Sequence, residues 1–182
     1  MKVAVCCSSV EDIDEIYKEN AEKLLKEIFK KNNDLVFGAY NQGIMGIAYK
    51  IAKENNRKVI GITPKIFKED FKKMECDVEI ITENIYNRTL ALIENSDMLL
   101  FLPGGIGTIY ELMSAIESKR SKEFDKPIII YNDEGFFDEL LEMLEKTYNQ
   151  NFSNIKIKNC YNIYNDYKEI VNLINGKEYV CN

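Results

Sequence analysis

The sequence predicts an α/β protein: a Rossmann-like doubly wound parallel sheet in three α/β/α layers, built by residues 1–182 as one domain. Three observations predict it. Short apolar runs of strand length alternate with stretches of helical period along the whole chain. The turns after the first, second and fifth of these runs are rich in serine or glycine, as expected where ligands meet the carboxyl ends of parallel strands. The length of 182 residues suits one core, and no repeat, low-complexity tract or linker divides it.

Lys2 to Cys7 reads as the first strand and Ser8-Ser9 as its loop. Asp12 or a neighbour caps a helix carrying Ile13, Ile16, Tyr17, Leu24, Leu25 and Ile28. Asn32-Asn33-Asp34 turns the chain into a second strand, Leu35 to Gly38. Ala39-Tyr40-Asn41-Gln42 then leads to Gly43-Ile44-Met45-Gly46, at the head of a helix ending near Asn55. Lys58 to Thr63 is a third strand closed by Pro64, and Lys65 to Lys73 is a short helix or an ordered loop. Val78 to Thr82 makes a fourth strand, and Glu83 to Asn95 a helix containing Arg88.

Met98 to Leu102 is a buried fifth strand. Pro103, Gly104, Gly105 and Gly107 turn it into a helix that starts near Thr108 and runs to about Lys119. Ser118 to Lys126 is a polar loop, Pro127 to Tyr131 a buried strand, and Phe136 to Tyr148 an amphipathic helix. Ile155 to Tyr164 alternates like a strand and Asp166 to Ile174 like a helix, before a short tail without readable chemistry. Alternating strands and helices imply right-handed crossovers, which bring the loops at 7–9, 38–46 and 103–108 to one edge of the sheet.

Composition limits the chemistry. Hydrophobic residues make up 46% and charged residues 30%, the balance of a folded globular chain. A net charge of −6 disfavours nucleic acid and anionic membranes as partners, so an anionic ligand needs a local site. The N-terminal apolar run is too short for a signal peptide and no stretch has transmembrane length, so a cytoplasmic protein is expected. Five cysteines are scattered without a C-x-x-C pair, which reads as reduced thiols. Histidine is absent, which removes Ser-His and Cys-His pairs and histidine metal sites. The charged runs Glu15 to Lys31 and Lys65 to Lys73 read as solvated faces.

The turn Pro103-Gly104-Gly105-Ile106-Gly107-Thr108 is suited to phosphate. Glycines allow close backbone approach, and the first N–H groups of a helix lack intrahelical partners. It is not a P-loop, because no lysine follows the last glycine, and not a dinucleotide fingerprint, because Tyr110 occupies the third glycine position. Glu111, three residues after Thr108, is either a carboxylate reaching the ligand or the glutamate of a T-x-x-E capping box. Arg88 by itself is either a solvated helix residue or a grip for developing negative charge. Ser8 and Ser9 can donate hydrogen bonds to a nucleotide or simply shape their loop, and Tyr40 can stack on a base or pack.

Leu102 to Glu111, LPGGIGTIYE, resembles the P-G-G-x-G-T-x-x-E signature of the Lonely-guy family, whose members once carried the label lysine decarboxylase. Val3 to Ser9 is similar to the family's first strand and Cys-x-Ser-Ser loop, and Gly43-Ile44-Met45-Gly46 to its G-L-M-G segment. Arg88 falls where the family has an Arg-Lys pair. The resemblance implies a homodimeric phosphoribohydrolase that cleaves a nucleoside 5′-monophosphate, often a cytokinin riboside phosphate, to free base and ribose 5-phosphate without metal or redox cofactor. It implies that Arg88 and Glu111 are catalytic and that Gly104, Gly105, Ile106, Gly107 and Thr108 hold the phosphate. Ser8, Ser9, Gly43, Met45 and Gly46 complete the nucleotide site. Two positions depart from the family: Thr89 replaces the lysine, and Gly38-Ala39-Tyr40-Asn41 replaces a triple-glycine turn. The rival expectation is a non-catalytic nucleotide or phosphorylated-cofactor binder of the molybdenum-cofactor carrier type. Lysine decarboxylation has no recognisable pyridoxal-phosphate lysine to support it.

Overall fold

Seven strands form one wholly parallel sheet in the computed structural model, which describes residues 1–71, 74–153 and 155–176. They are β1 (Lys2–Cys6), β2 (Asp34–Phe37), β3 (Val59–Pro64), β4 (Val78–Thr82), β5 (Met98–Phe101), β6 (Ile128–Tyr131) and β7 (Asn162–Tyr164), in the order β4-β3-β2-β1-β5-β6-β7. The helices are α1 (Glu15–Phe29), α2 (Gly43–Glu54), the short α3 (Lys68–Phe71), α4 (Ile85–Glu94), α5 (Ile106–Arg120), α6 (Asp138–Asn149) and α7 (Tyr167–Gly176). None of the described helices is long and apolar enough to cross a membrane.

Both faces of the central strands are covered, which is why their sequences read as continuous apolar runs rather than alternations. Val3, Val5, Leu35, Phe37 and Leu100 face a layer made by α1, α2 and α7, where Leu24, Leu25, Ile28, Ala48 and Ile170 are buried. Ala4, Val36, Ile60, Leu99, Phe101 and Ile130 face α4, α5 and α6, where Leu92, Leu112, Ala115 and Ile116 are buried. The three predicted layers are therefore present.

The chain steps outward from β1 to β4 and then returns to lay β5 against the other side of β1, with Cys6 opposite Phe101. A crevice opens at that reversal, outside the carboxyl ends of β1 and β5. Backbone hydrogen bonds fix its walls: Leu102 N–H donates to Cys6 O at 3.0 Å, Ser8 N–H to Pro103 O at 3.0 Å, and Met45 N–H to Ser8 O at 3.0 Å. Ser8 thus ties the turn after β5 to the head of α2.

One local expectation changes, and two open ones are resolved. The 155–164 segment is not one strand: Ile155–Cys160 is a 3-10 stretch packed on α5, and only Asn162–Tyr164 pairs with β6. The four residues of β6 can template no longer partner. Helix α1 starts at Glu15 rather than after Asp12, with Asp14 at the cap position but no capping hydrogen bond from its side chain. Within 65–73, Lys65–Phe67 is 3-10 and Lys68–Phe71 helical. Residues 72 and 73 and the tail from 177 lie outside the described residues.

After β2 the chain turns sharply at Ala39, which is buried and has φ of 57°. A left-handed conformation costs an alanine roughly 1–2 kcal/mol, while its buried methyl contributes about 0.8 kcal/mol. The two terms nearly offset, so Ala39→Gly should change stability by less than about 1 kcal/mol. Ala39→Val adds β-branching to a left-handed backbone inside the core and should destabilise by about 2 kcal/mol or more. Urea unfolding of both variants checks this, and a tolerated valine would mean that the turn relaxes.

Candidate active site

The turn after β5 delivers α5 to the crevice with its first donors free. Gly105 is the N-cap, Ile106 the first helical residue, and Ile109 N–H closes the first turn on Gly105 O at 3.1 Å. No acceptor among the described residues takes the N–H groups of Ile106, Gly107 or Thr108, and the cap carries no side-chain bond. Unpaired amides at the positive end of a helix form an anion site. A Cβ at Gly104 would collide with the Thr108 hydroxyl and come within 2.9 Å of Ser8 N, so only glycine lets the two loops close. Gly105 and Gly107 border open space.

The helix begins two residues before the expected start near Thr108. Thr108 is therefore inside the first turn and not its cap, and Glu111 lies in the second turn. The capping-box alternative for Glu111 is removed by this shift. Glu111 is instead buried, 7% exposed, with Oε1 3.4 Å from Arg88 Nη2. Arg88 comes from the first turn of α4, whose start is fixed by Asn84: its side chain accepts Asn87 N–H at 2.9 Å, and its carbonyl accepts Arg88 N–H at 3.1 Å. The alternative of a solvated arginine is likewise removed, since the Arg88 side chain is only 16% exposed.

Burial pushes the Glu111 carboxyl above its ordinary value; Arg88 and a hydrogen bond from the Cys6 thiol pull it back only in part. The net direction is upward because the ion pair is a single long contact, too weak to replace the lost hydration. Burial, followed by the Glu111 charge, raises the Cys6 and Cys7 thiols, which keeps them neutral. On the other side of Arg88, Nε is buried without a hydrogen-bond partner. A Cβ at Gly38 would collide with Nη2 of Arg88, so the glycine after β2 makes room for the guanidinium.

The second glycine turn is built differently. Gly43 N–H donates to Glu11 Oε2 at 2.8 Å, Met45 N–H to Ser8 O, and Gly46 N–H to Gln42 O at 2.9 Å. These donors are occupied within the protein. Gly43 has φ of 56° and no room for a Cβ beside the Val10 carbonyl, while a Cβ at Gly46 would sit 2.8 Å from Asn41 C. Both glycines are required by close chain packing. The Ser8 hydroxyl accepts Val10 N–H at 3.1 Å, a loop-shaping bond. Thr89 is buried with its hydroxyl on Ile85 O at 3.2 Å.

A cleft of about 470 Å³ adjoins Arg88, lined also by Ser9, Gly38, Tyr40, Met45, Thr63 and Phe67. Sequence reasoning did not find the last two, nor the contact of Gly38 with Arg88. Phe67 is hidden in a charged run, and Thr63 reads only as the end of a strand. Among the described residues no group of three or more cysteines and carboxylates is arranged to hold a metal ion.

A carboxyl group with a raised folded-state pKa favours folding most when protonated. Its contribution is complete below the unfolded value of about 4.3 and is lost as pH rises through the folded value. Glu111→Gln removes that loss. Urea midpoints of wild type and variant between about pH 4 and pH 8 should therefore diverge in favour of the variant as pH rises. A constant difference would mean that the carboxylate carries no net burial penalty.

A family profile described as "Possible lysine decarboxylase" matches residues 45–174. A rice protein (Oryza sativa subsp. japonica) described as probable cytokinin riboside 5′-monophosphate phosphoribohydrolase LOGL2 is 31% identical over 153 residues, 83% of this chain; the chain spans 62% of that relative's length. Arabidopsis thaliana cytokinin riboside 5′-monophosphate phosphoribohydrolase LOG3 is 30% identical over 83% of this chain and 71% of its own length. Among solved structures, the molybdenum cofactor binding protein of Rippkaea orientalis superposes with a TM-score of 0.70 at 22% identity, covering 96% of this chain and 95% of its own. The molybdenum cofactor carrier protein of Chlamydomonas reinhardtii gives 0.66 at 20%, covering 96% of each chain. At those identities the structural likeness shows the fold. The profile and the plant sequences show more: this chain belongs to the Lonely-guy family, the group that the "Possible lysine decarboxylase" profile describes.

Proposed function

We propose that this chain is a cytoplasmic phosphoribohydrolase acting on a nucleoside 5′-monophosphate, of the cytokinin riboside monophosphate or AMP type. The observation that carries the reading is the buried Glu111–Arg88 pair beside the free N–H groups of Ile106, Gly107 and Thr108. The names of the plant relatives support the same reaction class.

The α5 amides take the 5′-phosphate, which leaves the ribose beside Glu111. Cleavage of the C1′–N bond sends its electron pair to the base and builds oxocarbenium character on the sugar. An adjacent carboxylate stabilises that charge and directs water to C1′, by analogy with glycoside hydrolysis. The base takes up a proton as it leaves, and water supplies the new hydroxyl of ribose 5-phosphate. Arg88, with buried Nε lacking a partner, offers donors to negative charge on the departing base or on the phosphate.

A dimer belongs to the proposal. Ile85, Tyr86 and Leu90 on α4 and Ile106 and Tyr110 on α5 are each at least 39% exposed. An apolar surface of this kind, on the same two helices as Arg88 and Glu111, is suited to pairing with a second copy. Leu90→Glu should then lower the mass seen in sedimentation to that of one chain.

Purified protein given AMP and isopentenyladenosine monophosphate should release free base, and no release from folded protein across a nucleotide panel would overturn the reading. Glu111→Ala and Arg88→Ala should each lower kcat by roughly 100-fold or more. Because Glu111 acts as a carboxylate, the rate should climb with pH through an apparent pKa above the ordinary glutamate value of about 4.3. A binder of the kind named by the solved neighbours would instead retain nucleotide without turnover, which mass spectrometry of the purified protein would reveal.

A further inference from the structure

We infer that Cys6 is a positioning residue of this site: its thiol donates a hydrogen bond to Glu111 and, together with Arg88, fixes where the carboxylate points. The inference rests on the phosphoribohydrolase reading and adds a third residue to the pair that carries it.

The placement follows from the pleat of β1. Side chains alternate along a strand, so Val3 and Val5 enter the layer of α1, α2 and α7, while Ala4 and Cys6 enter the layer of α4, α5 and α6. Cys7, next in the chain, packs with the first of these layers. Arg88 and Glu111 stand on α4 and α5, so Cys6 is the cysteine of the adjacent pair that enters their layer. It is the last residue of β1, paired with Phe101 in β5, and its carbonyl accepts Leu102 N–H at 3.0 Å. The strand pair that delivers α5 to the crevice thus also sets the position of the thiol.

The chemistry of the contact goes beyond packing. Cys6 is 2% exposed and Glu111 7%, so water offers little to either group. A carboxylate can accept about four hydrogen bonds, whereas the ion pair with Arg88 is one contact of 3.4 Å. Burial raises the Glu111 carboxyl most, and Arg88 and the thiol bond both act against it by favouring the ionised form. Burial and the Glu111 charge in turn keep the Cys6 thiol protonated, so it donates without adding a second charge to the site. A thiol is a weak donor, which orients the carboxylate and leaves most of its charge uncompensated. Alanine and valine, the residues before it in β1, would fill the space and offer no proton. Arg88 faces the carboxyl from α4 and Cys6 from β1, and Cys7 feels the Glu111 charge from the other face of the sheet.

The test measures kcat and KM for AMP against pH in wild type, Cys6→Ala, Cys6→Ser and Cys7→Ala. The thiol bond favours the carboxylate, so its loss in Cys6→Ala should move the acid limb of the kcat profile up by roughly half to one pH unit. On the plateau kcat should fall about fivefold as the carboxylate loses its orientation, with KM within about twofold of wild type. Cys6→Ser keeps a donor and should hold the limb at or below its wild-type position, and Cys7→Ala should leave it in place. An unmoved limb in Cys6→Ala overturns the inference. So does an upward shift in Cys6→Ser equal to that in Cys6→Ala, which would mean that the thiol only packs. A second series needs no turnover. A higher folded-state pKa for Glu111 deepens the loss of stability as pH rises, so urea midpoints of Cys6→Ala should fall further between about pH 4 and pH 8 than those of wild type, and this difference should vanish in a Glu111→Gln background. If wild type releases no base, the hydrolase reading fails, and the unfolding series alone decides the contact: equal pH dependence in Cys6→Ala and wild type overturns it.

Discussion

A carboxylate removed from water beside one guanidinium, at the point where the order of strands reverses, is the interaction on which the candidate site depends. Glu111 and Arg88 lie on two helices on the same side of the sheet, and their contact exists only because β5 returns to the flank of β1 and carries α5 with it. The contact is long, and burial outweighs it, so the pair is held by the surrounding fold rather than holding the fold together. That arrangement leaves Glu111 short of compensating charge and Arg88 Nε short of an acceptor. Both deficits are ones that a ligand in the crevice could meet.

Small residues around this pair are explained by what they exclude. Gly38 makes space for the Arg88 guanidinium, Gly104 lets the β5 turn close over Ser8 and Thr108, and Gly46 admits the Asn41 turn. Each clash is with a specific neighbour, so the glycine pattern that marks the family in sequence is in part a packing pattern. The two helix N-termini at the crevice also differ in kind. Glu11 supplies the carboxylate at the head of α2, whereas α5 keeps three unpaired amides. One end is neutralised from within the chain, and the other is left for an external anion.

The chain's departures from its family sit in the same region with different consequences. Thr89 is buried and its hydroxyl is bonded to its own helix, which leaves Arg88 as the cation of that segment facing the cleft. Ala39 keeps the left-handed turn that a glycine would make without strain, and the residue after it brings an aromatic ring to the cleft. A plain glycine turn would have left that wall open. The change therefore alters the wall of the cleft and leaves the Glu111–Arg88 pair as it is.

The sequence by itself determined the layers and the loop edge, because these follow from local quantities: continuous apolar runs for buried strands, helical period between them, and glycines where the chain must turn. It also singled out Glu111 and Arg88 through the signature around them, and the fold brings these two side chains together. It did not decide between a capping glutamate and a buried carboxylate, because that turned on a two-residue shift in the start of α5, and helix starts depend on how the preceding turn packs. The edge strand near 155–164 was overestimated for a similar reason: alternation reports a propensity, while strand length is set by the partner's free edge. Phe67, Thr63 and the Arg88–Gly38 contact needed tertiary structure altogether. Each joins residues far apart in the chain, and no local period or spacing encodes which distant side chain will meet a given backbone.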